Sequence, residues 1–338
     1  MSNATCDAVP NLSVPQPVAT THGGIYLERR GNGPPLVLLH GWGLNLRVFD
    51  GLAATLAPHH TLLAVDLPGH GRSTASDLNN YPQLLACLPE KFALLGWSLG
   101  GQIALQLAAF APTRITALVL VSTTPRFEAT TDWQAGLAPA VLAQFARQLQ
   151  RDYPRTVSEF LELQVRGSVQ ADATLAQLRA APPSHSEASP AALTTGLELL
   201  RDKDLRLILA TITAPTLLIA GQYDRVTPTS AARSMAARLP SCELLEIRRA
   251  GHAPFLSHLA ECCAPLARIR LHCTKVVSAP HSMPPAAATM PPRSCKRLCA
   301  TSCSSGCWNY ASNRAPSSTS ARAPASQHRP SSVTSPRH

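Results

Sequence analysis

Gly96-Trp97-Ser98-Leu99-Gly100 sets a serine between flanking glycines, the spacing of a nucleophile elbow. In such an elbow the serine sits on a sharp strand-to-helix turn with its Oγ exposed. Small flanking residues let the neighbouring backbone come close. A serine hydroxyl is a weak nucleophile until a base takes its proton and an acid orients that base. The chain order Ser, acid, His is met by Asp224, in Gly221-Gln222-Tyr223-Asp224-Arg225, and His252, in Ala250-Gly251-His252-Ala253-Pro254-Phe255. Asp224 could instead be a solvated loop aspartate, and His258 is the rival base, in the stretch that enters the last helix. His40 supports its own turn, His70 is less suited as a base, and His185 falls in a polar loop. Attack on a carbonyl also needs two backbone donors for the oxyanion. Leu99 N–H, next after the serine, is one. The turn His40-Gly41-Trp42-Gly43 offers the other, the Trp42 N–H. Asp66-Leu67-Pro68-Gly69-His70-Gly71-Arg72-Ser73 is read as a structural turn.

These residues stand at the ends of short apolar runs. Leu36-Val37-Leu38-Leu39, Thr61-Leu62-Leu63-Ala64-Val65, Phe92-Ala93-Leu94-Leu95, Ala117-Leu118-Val119-Leu120-Val121 and Thr216-Leu217-Leu218-Ile219-Ala220 are each followed closely by Gly, Ser, Asp or His; Leu244-Leu245-Glu246-Ile247 is weaker. Such runs suit parallel strands buried on both faces. Helical text at residues 99–111 and 230–239 alternates with them, which predicts a doubly wound, mostly parallel α/β sheet with its ligand site at the carboxyl ends of the strands. Residues 125–205 lack buried-strand runs and carry helical periodicity, with Pro154 opening a helix. They predict an all-helical cap between the core segments 23–124 and 206–261. Residues 1–22 are expected to be a loose extension, and residues 262–338 a disordered tail.

The 338 residues are 45% apolar and carry a formal charge of +10. All of that excess lies in residues 262–338, which hold 10 Lys+Arg, no acid, 10 Pro and 14 Ser. The body is neutral, so a nucleic-acid partner is not expected. Seven of the ten cysteines fall in the tail, and the three in the body read as reduced thiols. Cys295, Cys299, Cys303 and Cys307 recur every fourth residue, but without histidine or acid nearby no metal site is expected. No apolar run is long enough to span a membrane and no secretory signal is visible, so a cytoplasmic protein is expected.

His40-Gly41-Trp42-Gly43-Leu44-Asn45, Asp66-Leu67-Pro68-Gly69-His70-Gly71-Arg72-Ser73, Gly96-Trp97-Ser98-Leu99-Gly100-Gly101 and Gly251-His252-Ala253-Pro254-Phe255 together resemble the pimeloyl-[acyl-carrier protein] methyl ester esterases of biotin synthesis. The resemblance covers residues 25–261. It implies an α/β-hydrolase core with a helical cap, and hydrolysis of the methyl ester on a pimeloyl chain held by acyl-carrier protein. It implies the triad Ser98, Asp224 and His252, an oxyanion hole at Trp42 and Leu99, and an acyl channel along Phe160, Leu161, Glu162, Leu163 and Gln164. It implies no cofactor, and a monomer is expected. A broad short-chain carboxylesterase, or a non-catalytic binding protein on the same fold, are the alternative readings.

Arg147, Arg151 and Arg155 recur every fourth residue in the cap and offer a basic face to an acidic carrier protein, although Pro154 interrupts the stripe. A solvated face with stray arginines is the competing reading. Arg155 matches an arginine of the family, whereas Glu159, Asp172 and Ala176 stand where the family has arginine. Docking is then expected to shift toward Arg147, Arg151 and Arg179. The family's closing amphipathic helix is expected to be cut short by Pro265.

Overall fold

The structure, a computed structural model, describes residues 17–181 and 185–268. Strands β1 (Val18–His22), β2 (Ile25–Arg30), β3 (Pro35–Leu39), β4 (Thr61–Val65), β5 (Phe92–Trp97), β6 (Ile115–Val121), β7 (Thr216–Gly221) and β8 (Cys242–Ile247) form one sheet. Their order is β1-β2-β4-β3-β5-β6-β7-β8. From β4 to β8 every neighbouring pair is parallel, and β1 and β2 add an antiparallel edge. The order reverses between β3 and β5, which opens a crevice at their carboxyl ends. The Gly41-Trp42 turn and Ser98 lie there.

Helices α1 (Asp50–Leu56), α2 (Tyr81–Ala86) and α3 (Leu99–Phe110) precede a helical layer of α4 (Pro139–Arg151), α5 (Tyr153–Val165), α6 (Ala171–Ala180) and α7 (Pro190–Asp202). α8 (Thr229–Ala236), α9 (Pro254–Ser257) and α10 (Leu259–Leu266) follow. Apolar side chains collect on both faces of the sheet. Val37, Leu39, Leu94 and Leu120 point one way, Leu36, Leu38, Leu95 and Val119 the other, as the two-residue period of a strand requires.

Several segments differ from the sequence reading. Residues 18–22, expected to be loose, pair with β2, because Val18 to His22 find a free edge there. Residues 1–16 lie outside the described residues. Between Pro125 and α4 the chain is not helical: isolated bridges join Glu128 to Leu137 and Thr130 to Trp133, and Trp133 Nε1–H donates to Arg126 O. α5 does open at Pro154, with Asp152 accepting from Arg155 N. Near the chain's end, α10 runs through Pro265 to Leu266, and Cys262, Cys263 and Leu266 are buried in the core face that also holds α1. The proline falls in the last turn, where it sacrifices a single i→i−4 bond. His60 Nε2–H closes that turn by donating to Leu266 O at 3.0 Å. The core thus extends past Glu261. The expected disorder beyond it, and the four cysteines from Cys295 to Cys307, concern residues outside those described.

Candidate active site

Ser98 stands between β5 and α3 with φ +56°, a left-handed conformation that a serine adopts only under constraint. The turn is locked from both sides. Ser98 N–H donates to Val121 O at 3.0 Å, and Thr123 Oγ1–H donates to Ser98 O at 2.8 Å. A Cβ on Gly96 would strike the Gly100 carbonyl, and one on Gly100 would strike the Leu39 carbonyl. Glycine at both flanks is what lets β5 turn into α3 this sharply.

His252 Nε2 lies 3.0 Å from Ser98 Oγ, and its Nδ1 lies 2.8 Å from Asp224 Oδ2. All three residues are buried. Asp224 Oδ1 accepts from the backbone N–H groups of Val226 and Thr227, both at 2.8 Å, and the Thr227 hydroxyl donates to Oδ2 at 2.7 Å. Burial pushes the Asp224 carboxyl up, but the facing His252 and these donors outweigh it and hold the group below the usual carboxylate range. An ionised Asp224 accepts a hydrogen bond from Nδ1–H, so Nε2 is left as the acceptor for the serine hydroxyl. The His252 peptide is gripped twice: its N–H donates to Gln164 O and its carbonyl accepts from Trp97 Nε1–H, each at 2.8 Å. His258 is elsewhere, at the end of α9, where its Nδ1 meets Ser257 Oγ at 2.8 Å.

Leu99 is the first residue of α3, so its N–H has no acceptor within the helix and lies beside the serine. Gly41 abuts Ser98 Cβ and the Trp97 ring, which places the Trp42 turn against the elbow. The Trp42 indole is buried. It donates to Leu193 O of α7 at 2.8 Å and meets the rings of Phe145 and Phe160, with centroids 5.4 Å away in each case. Gly196 of α7 rests on Trp42 and Leu99 together, and a Cβ there would come within 2.8 Å of the indole. The helical layer thus touches both expected oxyanion residues. His40 Nδ1–H donates to Gly41 O at 2.8 Å and its Nε2 accepts from Leu67 N at 3.0 Å, tying the turn to the Asp66–Ser73 segment. Burial drives His40 well below its ordinary pKa and His70 down to about 4, so both rings are neutral buttresses.

The five residues from Phe160 to Gln164 do not share a face. Phe160 meets Trp42, Leu161 and Gln164 are buried, and Leu163 is half-buried. Glu162 is exposed and pairs with Arg179 at 2.6 Å, on a different face from the buried Leu161, because a helix turns 100° per residue. Arg147 and Arg151 are exposed on α4, whereas Arg155 lies on α5, across the break at Asp152, and pairs with Glu159 at 2.8 Å. Three contacts escaped the sequence reading: Thr227 on Asp224, Trp97 on the His252 carbonyl, and His185, whose Nε2 meets Asp66 Oδ2 at 2.7 Å. An Asp followed by two and three residues whose amides turn back on it is an Asx-turn pattern, and Asp224-Arg225-Val226-Thr227 carries that signal.

Among the described residues no helix is long and apolar enough to cross a membrane. A family model for the alpha/beta hydrolase fold matches residues 34–259. The pimeloyl-[acyl-carrier protein] methyl ester esterase of Nitrosomonas europaea is 43% identical over 237 residues, 69% of this chain and 94% of the relative. Its counterpart from Xylella fastidiosa strain M23 is 41% identical over 248 residues, 72% of this chain and 97% of the relative. Among solved structures, an esterase from Exiguobacterium antarcticum superposes with a TM-score of 0.64 at 25% identity, covering 72% of this chain and 93% of that one. The chain belongs to the α/β-hydrolase fold family and, within it, to the pimeloyl-[acyl-carrier protein] methyl ester esterases.

Proposed function

We propose that this carboxylic ester hydrolase cleaves the methyl ester of a pimeloyl chain carried on acyl-carrier protein, with Ser98 as nucleophile. The observation that carries the reading is the buried hydrogen-bond chain from Ser98 Oγ through His252 to Asp224, held in an elbow of positive φ. His252 Nε2 takes the hydroxyl proton as Oγ attacks the ester carbonyl. Asp224 stabilises the imidazolium that forms. The oxyanion is held by the N–H groups of Leu99 and Trp42, and one such donor is worth about 3 kcal/mol in the transition state. The imidazolium returns its proton to the departing methoxide, and methanol leaves. Water, deprotonated by the same nitrogen, then attacks the acyl-enzyme and releases the free acid.

The relatives' names support the carrier-bound substrate. A cavity of about 280 Å³ beside α5 supports an acyl channel: Gly43, Val157, Leu161 and Leu193 give it apolar walls, and Tyr153, Arg179 and Glu187 also line it. Exposed Arg147 and Arg151, with Arg155, form the docking face for the acidic carrier. The reaction draws only on the protein's own groups and water, so the reading needs no metal or organic cofactor, and it takes the enzyme as a cytoplasmic monomer.

Ser98→Ala tests the proposal. Turnover of both p-nitrophenyl butyrate and the carrier-bound methyl ester is expected to fall by about 10⁴-fold or more. Equal rates in wild type and variant would overturn it.

A further inference from the structure

Asp224 receives more hydrogen bonds than orienting an imidazole requires. Oδ1 is saturated by the Val226 and Thr227 amides, and Oδ2 holds His252 Nδ1–H. The same Oδ2 also takes the Thr227 hydroxyl at 2.7 Å. That hydroxyl is on a residue 2% exposed and lies 3.5 Å from His252 Nδ1. It has one proton. Since the Nδ1–H is already directed at Asp224, the hydroxyl donates to Oδ2 and turns its lone pairs toward the ring edge. A valine would fill the same space without a polar atom to satisfy, so the buried hydroxyl has to be explained by its bond to the carboxylate.

We infer that Thr227 is a positioning residue for the hydrolysis: by sharing the Asp224 oxygen that holds His252, it sets both the rotation of that carboxylate and the basicity of the imidazole that takes the Ser98 proton. The inference rests on the roles proposed above for Ser98, His252 and Asp224. With two donors on one oxygen, Oδ2 attracts the Nδ1 proton less strongly than it would with one. Removing the hydroxyl concentrates the carboxylate charge on His252, stabilises the imidazolium and makes the ring keep its proton to higher pH. Below that pH the ring is protonated and cannot accept from Ser98, so the acid limb of the rate profile moves up.

Thr227→Val keeps the shape and removes the donor, while Thr227→Ser keeps the donor and removes a methyl group. The measurements are kcat/KM for p-nitrophenyl butyrate as a function of pH and the His252 imidazole titration followed by NMR. In Thr227→Val both midpoints are expected to rise by about 0.5–1 pH unit, with kcat down about tenfold. In Thr227→Ser both stay in place and the rate stays within about twofold of wild type. Thr227→Cys, whose thiol donates weakly, shifts in the same direction as Val and serves if Val impairs folding. Unshifted midpoints in the donor-depleted variants, or a Ser variant that shifts as they do, overturn the inference. Ser98→Ala measured alongside separates the two layers: wild-type turnover in that variant removes the underlying reading, whereas an unshifted His252 midpoint removes only the role of Thr227.

Discussion

Among the described residues two aspartate–histidine pairs are buried, and their geometries nearly coincide. His252 meets Asp224 at 2.8 Å and His185 meets Asp66 at 2.7 Å. Each carboxylate also accepts two backbone N–H groups, from Val226 and Thr227 in one pair and from Leu46 and Arg72 in the other. The differences lie around them. The second nitrogen of His252 faces the hydroxyl of a strained serine at 3.0 Å, whereas the His185 ring lies against Tyr26 with centroids 5.2 Å apart. Asp224 has the Thr227 hydroxyl as an additional donor and its carboxyl is held low. Asp66 lacks that hydroxyl, and burial pushes its carboxyl up. An Asp–His pair is therefore not a reactive unit in itself. Near Asp66 the pair ties the segment between α6 and α7 to the core, together with Asn45, whose amide donates to Ala181 O and Ser186 O.

The comparison breaks most visibly if both aspartates are made amides. Asp224→Asn is expected to lower kcat by about 10⁴-fold with the fold intact, because the amide favours the wrong imidazole tautomer. Asp66→Asn is expected to leave kcat for a small ester within about threefold of wild type but to cost about 2–3 kcal/mol of stability, since an amide cannot accept from every donor now on the carboxylate. Urea unfolding and steady-state kinetics on both variants check this, and equal kinetic losses would erase the distinction. Acid sharpens the same contrast through His70, beside His40 in the buttress. Its folded pKa of about 4 lies below the ordinary 6.5, so the unfolded chain binds the proton first. The associated stability is complete above pH 6.5 and is lost as pH falls toward 4, by about 2 kcal/mol between pH 7 and pH 5. His70→Asn should flatten the fall in urea midpoint over that interval. A smaller effect is expected from Gly196→Ala, which pushes on Trp42 and Leu99 without touching Asp66. It should lower kcat about tenfold while the urea midpoint changes little. The smallest effect is expected at the docking face. Arg147→Glu with Arg151→Glu should raise KM for the carrier-bound ester about threefold to tenfold and leave p-nitrophenyl butyrate unchanged. Arg155→Glu, already neutralised by Glu159, should do less.

The pair beside Ser98 was legible and the other was not, for a physical reason. Ser98 follows β5 directly, and Asp224 and His252 lie in the loops just after β7 and β8; the strand ends of a parallel sheet converge on one edge, so local patterns sufficed to bring distant residues together. His185 lies 119 residues from Asp66, in a segment without periodicity. Nothing local announces that a polar loop histidine will be buried, because that depends on how the helical layer settles on the core. The edge strand β1 was hidden likewise: all five of its residues are exposed, and it is held by pairing with β2 more than by an apolar pattern of its own. The stretch from Phe160 to Gln164 was read as one run, but five successive residues cannot share one wall on a helix, and only Leu161 of them lines the cavity beside α5.

The double grip on the His252 peptide bears on how an ester reaches the serine. One hand belongs to the core, through Trp97, and the other to the C-terminal end of α5, through Gln164. If the helical layer swung away at that end, it would tear the histidine from its anchor. The end of α5 and the imidazole at 252 thus share one fastening, so a substitution that shifts that helix end is felt at the histidine before it is felt anywhere else in the sheet.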